Sequence, residues 1–165
     1  MSNKFEPLTG GCTCGLVRYT VRAEPLIVHA CHCRRCQNQS GGPHVINALL
    51  EADHIEQTSG ELESLQVPTP SGKGQTIVRC SSCKVAIWSH YDFGGLGQHI
   101  CFLRVGTLDR PDTCPPDVHI YTSTKLPWYL IHPSQRAVEE YYDTKTTWRP
   151  ESMARLNALR NAVSN

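Results

Sequence analysis

Apolar and polar positions alternate with a period of two over several short stretches, the pattern of half-buried strands. Leu16-Val17-Arg18-Tyr19-Thr20-Val21 and Gln75-Thr76-Ile77-Val78-Arg79 show it best, with the β-branched and aromatic residues that suit a pleated surface. Ile27 to Ala30, His44 to Leu50, Val85 to Tyr91, Ile100 to Leu108 and Val118 to Tyr121 read the same way. Turn-forming clusters separate them, notably Ser59-Gly60, Pro68-Thr69-Pro70-Ser71-Gly72 and Gly94-Gly95-Leu96-Gly97. Strands do not alternate with long helices, which argues against a parallel α/β sheet. Helix is expected only late. Pro150 suits a first helical turn, and Met153, Leu156 and Leu159 or Arg160 follow at helical spacing. Ser134 to Tyr142 is expected to add a shorter helix. Both should pack on the sheet, and the closing helix is also a candidate homodimer face.

A chain of 165 residues has the length of one domain and can bury a core. The formal net charge of +1 gives no general attraction for nucleic acid or an anionic membrane. Met1-Ser2-Asn3-Lys4-Phe5-Glu6 carries no apolar leader, and no apolar run reaches spanning length. The expectation is a soluble, cytoplasmic protein with neither membrane nor nucleic acid as partner. In that compartment thiols stay reduced, which changes the meaning of the nine cysteines.

Seven of the nine cysteines are clustered. Cys31-His32-Cys33-Arg34-Arg35-Cys36 is a CxCxxC, with Cys12-Thr13-Cys14 upstream and Cys80-Ser81-Ser82-Cys83 downstream. A structural zinc takes four protein ligands, whereas a catalytic zinc keeps three and an open position. Cys12, Cys14, Cys80 and Cys83 are therefore assigned to one closed structural zinc, their glycine-flanked and knuckle-like turns placing backbone N–H groups near sulfur. Cys31, Cys33 and Cys36 are left as an open zinc site, two zincs per chain in all. A histidine could instead close the second site, and His29 and His32 are nearest in sequence, but strand alternation points His32 away from Cys31 and Cys33. Arg34 and Arg35 are either solvated charges or groups that balance the thiolates and grip a carboxylate. Cys101 reads as a buried apolar thiol and Cys114 as a loop thiol.

Gly10-Gly11-Cys12-Thr13-Cys14-Gly15, the CxCxxC leading to Ser40-Gly41, and Cys80-Ser81-Ser82-Cys83 together resemble the glutathione-dependent formaldehyde-activating enzymes and the centromere-protein-V domain proteins. His119-Ile120-Tyr121 followed by Lys125-Leu126-Pro127-Trp128 is similar to the segment that closes the family domain. The resemblance covers roughly residues 8 to 132 and implies a β-tent of antiparallel sheets, here with a helical extension over 133–165 within a single domain. Lys84 departs from the family, which usually has glycine directly after the CxxC.

The resemblance implies a carbon–sulfur lyase-type reaction that adds the thiol of glutathione to formaldehyde or a related small carbonyl. On that reading Cys31, Cys33 and Cys36 hold the catalytic zinc and the substrate sulfur takes its fourth position. Arg34 and Arg35, with Ser40 and Gly41 in the following loop, form the expected substrate-binding set. His119 is the expected proton donor, against the plainer reading of a strand histidine. Two rival readings stand beside this one. Methionine sulfoxide reduction would need Cys101 or Cys114 as an exposed nucleophile, and a non-enzymatic zinc module would bind a protein partner.

Overall fold

The computed structural model describes residues 5–164. The first half of the chain runs β1 (Leu8–Gly11), β2 (Arg18–Val21), β3 (Ile27–Cys31), α1 (Arg34–Ser40), β4 (Val45–Glu51), β5 (Ile55–Ser59) and β6 (Leu62–Val67). The second half runs β7 (Gln75–Cys80), β8 (Ala86–Tyr91), β9 (Ile100–Arg104), β10 (Val118–Ile120), α2 (Thr144–Thr147) and α3 (Pro150–Ser164). The fold is mainly β, in two sheets. One has the order β1-β2-β5, and the other β10-β3-β4-β9-β8-β7-β6. All pairings are antiparallel except β10 with β3, which is parallel at the sheet edge.

Seven strands match the alternating stretches, although β9 stops at Arg104 and the chain turns in a short 3-10 helix over Val105–Thr107. The strands that alternation did not reveal are β1, β5 and β6. β5 and β6 are sheet edges with mostly exposed residues, so no apolar stripe marks them. β1 carries Gly10 opposite Tyr19, where a Cβ would collide with the tyrosine hydroxyl. Two helix expectations need correction. Helix begins early, at α1, inside the cysteine cluster itself. Ser134 to Tyr142 is not helical: its backbone runs along β10, with Val138 N donating to His119 O (2.9 Å), His119 N to Arg136 O (2.8 Å) and Tyr121 N to Glu140 O (2.8 Å). Satisfying the open edge of β10 outweighs the local helical preference of this segment.

Two apolar clusters hold the fold. The first joins Val17, Tyr19 and Val21 to Ala48, Leu50, Ile87 and Leu103, and includes Cys12 and Cys80. The second joins Ile27, Leu49, Ile100 and Ile120 to Tyr142, Trp148 and Leu156 from the C-terminal segment. α3 therefore packs on the sheet as its spacing predicts, with Leu156 fully buried and Met153 and Leu159 partly so. Arg155 fixes its orientation, since its Nε donates to Oε1 of the buried Glu51 at 2.9 Å. Among the described residues no helix is long and apolar enough to cross a membrane.

Candidate metal centres and the adjoining cavity

The Sγ atoms of Cys12, Cys14, Cys80 and Cys83 lie within 4.8 Å of one another. Two turns bring them there. Cys12 N donates to Val17 O (3.1 Å) and Gly15 N to Cys12 O (3.0 Å), with Gly15 at φ 78°. On the other side Cys80 N donates to Val85 O (3.0 Å) and Lys84 N to Cys80 O (3.1 Å). Lys84 sits at φ 64°, a left-handed conformation that glycine would adopt without steric cost. The knuckle keeps its turn despite the lysine, whose Nζ reaches Glu63 Oε2 at 2.9 Å. Backbone donors already favour thiolate here: Val17 N donates to Cys12 Sγ at 3.3 Å, and the Val85 N–H draws the Cys83 pKa down to about 6.

The second cluster is Cys31, Cys33 and Cys36, again with sulfurs within 4.8 Å of one another. Cys31 ends β3, and Cys33 is the N-cap of α1, its Sγ accepting from Cys36 N at 3.4 Å. Gly41 closes the helix at φ 68°. The thiols of Cys31 and Cys36 hold Cys33 far below the usual thiol pKa, and contact with Cys33 and Cys36 pushes Cys31 far above it. All nine cysteines are free thiols. Crowded sulfurs that share protons in this way suit a soft cation, so both clusters could hold zinc.

The three-cysteine cluster opens on a cavity of about 730 Å³, and Arg35 lines it. Arg35 Nε is buried without a hydrogen-bond partner. Arg104 lines the same space, donating to Asn47 Oδ1 (2.6 Å) and Gln39 Oε1 (3.0 Å). Burial pulls its pKa down, while the neighbouring thiolates of Cys36, Cys31 and Cys33 oppose that shift. His29 shares the cavity face with Cys31, but its Nε2 is taken by the Tyr142 hydroxyl. Tyr121 enters the cavity from a left-handed backbone (φ 56°), a strained conformation for a bulky residue.

Several expected site residues lie elsewhere. His119 is opposite Ala30 in the β10–β3 register, whereas Ile120 is opposite Cys31 and lines the cavity. Strand alternation therefore turns His119 to the other face, where its Nδ1 is 2.9 Å from His32 Nε2. Arg34 is exposed and donates to Gln37 Oε1 at 2.9 Å rather than lining the cavity. Ser40 supports the helix end, its Oγ donating to Cys36 O at 2.9 Å and accepting from Gly42 N at 3.1 Å. Gly41 serves the same turn. Cys101 is buried, with its thiol pushed well up by burial, and Cys114 is buried with its pKa pushed up to about 11. Neither is the exposed nucleophile that sulfoxide reduction requires.

Residues 7–124 match the family described as glutathione-dependent formaldehyde-activating enzyme, well over half of the chain. The chain belongs to this family. Among solved structures, a Rhodobacter sphaeroides protein is similar at 16% identity and a TM-score of 0.46, covering 62% of this chain and 88% of that chain. No curated protein matches. The matched segment ends before Tyr141, which lines the cavity, and before Tyr142 and Trp148, which stand behind it.

On the opposite face His32, His44 and His119 pack with Tyr129, with ring centroids 5.0 Å apart for His32–His44 and 5.2 Å for His32–His119. Burial depresses all three pKa values, and it takes His29 down to about 3. The unfolded chain therefore binds protons that the folded chain refuses, so stability is full above pH ~6.5 and falls as the pH drops towards the folded values. His29 alone is expected to cost about 1 kcal/mol at pH ~5.5. Denaturant unfolding across this window, at constant zinc content, should show the decline, and a flat profile would contradict it.

Proposed function

We propose that this chain is a zinc-dependent carbon–sulfur lyase-type enzyme that joins a thiol to a small carbonyl, as in the addition of glutathione to formaldehyde. The observation that carries this reading is the three-thiol cluster opening on a cavity with an unpartnered guanidinium nitrogen. Cys31, Cys33 and Cys36 would hold the catalytic zinc, and Cys12, Cys14, Cys80 and Cys83 a structural one. Zinc held there would supply the means to keep a substrate thiol deprotonated near neutral pH.

The chain's own groups do the rest. Arg35 takes a substrate carboxylate through its planar fork. Arg104, held by Asn47 and Gln39, offsets negative charge on the thiolates. The sulfur–carbon bond forms at the carbonyl carbon as the thiol S–H breaks, the carbonyl oxygen takes up a proton to become hydroxyl, and the proton released by the thiol restores the donor, so no net proton is gained or lost. Tyr121 replaces His119 as the candidate donor, because it lines the cavity and burial raises its pKa, keeping its proton in place.

Arginine-to-lysine exchange tests the recognition step. Arg35→Lys is expected to weaken binding of a carboxylate-bearing thiol such as glutathione by about 1–2 kcal/mol. Arg34→Lys should bind as the native protein does. Calorimetric titration decides it, and equal affinities in the native protein and Arg35→Lys would remove the role. Exchange spectroscopy of glutathione with formaldehyde tests the reaction itself, since the enzyme should accelerate adduct exchange above its spontaneous rate.

A further inference from the structure

The cavity's composition bears on which thiol it takes. Besides Arg35 and Arg104 it is lined by the rings of Tyr91, Phe93, Phe102, Tyr121 and Tyr141 and by the uncharged polar side chains of Gln39, Asn47, Thr69, Ser71, Gln75 and Ser89. Its volume of about 730 Å³ falls in the range of pockets for drug-sized ligands and far exceeds what formaldehyde fills. Its uncharged polar side chains are largely engaged with one another, Gln39 with Gln75 (3.0 Å), Gln75 with Ser89 (3.0 Å) and Thr69 with Ser71 (3.0 Å). Arg104 is engaged by Asn47, Gln39 and the thiolates, and Asp92 is paired with Lys73. Arg35 is left as the cation with an unpartnered buried nitrogen. Glutathione carries two carboxylates, an ammonium and two amides, each costly to desolvate without a partner. One anionic group on an apolar body matches these walls better.

One ring of that wall, Tyr141, comes from the segment beyond the family match. Tyr141 stacks on Tyr142 (centroids 4.6 Å) and approaches Tyr121 (6.1 Å) and His29 (5.7 Å). Tyr142 is fixed by Trp148, whose Nε1 donates to its hydroxyl at 2.8 Å, and by His29. Trp148 in turn stacks on Phe93 at 5.8 Å with planes 4° apart. Tyr141 is therefore a ring held in place from behind, in a residue that is still 38% exposed.

We propose that the C-terminal segment sets the substrate class: the thiol is aromatic and carries one carboxylate, its ring seated beside Tyr141 and Tyr121 and its carboxylate on Arg35. This rests on the thiol-binding reading above and narrows it.

Four thiols titrated calorimetrically into the zinc-loaded protein test the proposal: para-mercaptomethylbenzoate, benzyl thiol, mercaptoacetate and glutathione. The aryl carboxylate is expected to bind tightest, about tenfold or more above mercaptoacetate, from ring burial and stacking. Tyr141→Phe should keep that advantage, and Tyr141→Ala should remove it with mercaptoacetate affinity changed by less than about twofold. The ranking in the native protein decides even if Tyr141→Ala does not fold. Glutathione or mercaptoacetate binding as tightly as the aryl carboxylate would overturn this inference and leave the thiol reading standing. No binding by any of the four would overturn both.

Discussion

Cys80→Ser is expected to cost the chain much of its stability. The closed cluster joins the turn after β1 to the end of β7, linking Cys14 to Cys80 across 66 residues. Releasing a loop of that length gives the unfolded chain about 4 kcal/mol of conformational entropy, before any loss of zinc–thiolate bonding. For a domain of this size that lowers the melting temperature by roughly 10 °C or more. Cys12 and Cys80 are also buried members of the first apolar cluster, so a freed serine hydroxyl there lacks solvent. Thermal unfolding of the purified variant measures the effect. A melting temperature within a few degrees of native would mean that this cluster is not the structural one.

Cys33→Ser should behave in the opposite way. Its partners Cys31 and Cys36 are neighbours in sequence, so the cluster restrains little chain. Cys33 is also the N-cap of α1, and serine is a preferred residue there, so the helix start should survive. Zinc content should fall by one equivalent, and the accelerated exchange of thiol with carbonyl should drop to the spontaneous rate. Equal thermal destabilisation in Cys33→Ser and Cys80→Ser would refute the division between a structural and a reactive centre.

The parts of this molecule written in side-chain alternation were readable before its structure. β2 and β8 bury alternate residues, so Tyr19, Val21 and Ile87 fall into phase, whereas β3 and β4 are buried at nearly every residue and read as apolar runs. Edge strands β5 and β6 have no such demand and left no mark. Cysteine spacing separated the two clusters because metal geometry constrains local sequence. Registers between distant strands leave no local trace. A shift of one residue along β10 decides whether His119 or Ile120 faces Cys31. Arg104 meets Gln39 only because β9 pairs with β4, a contact between residues 65 apart. The stretch from Ser134 to Tyr142 reads as helix by local preference, but its backbone answers the edge of β10. Tyr141, at its end, becomes a cavity wall through that pairing.

The central claim is that one cysteine cluster is closed and the other accepts an outside thiol. Zinc-edge X-ray absorption on protein carrying two zincs per chain tests it directly, with and without excess thiol. Without thiol the average sulfur count per zinc should lie between three and four, and with thiol it should rise to four. A count that stays unchanged, in protein that holds both zincs, would contradict the claim.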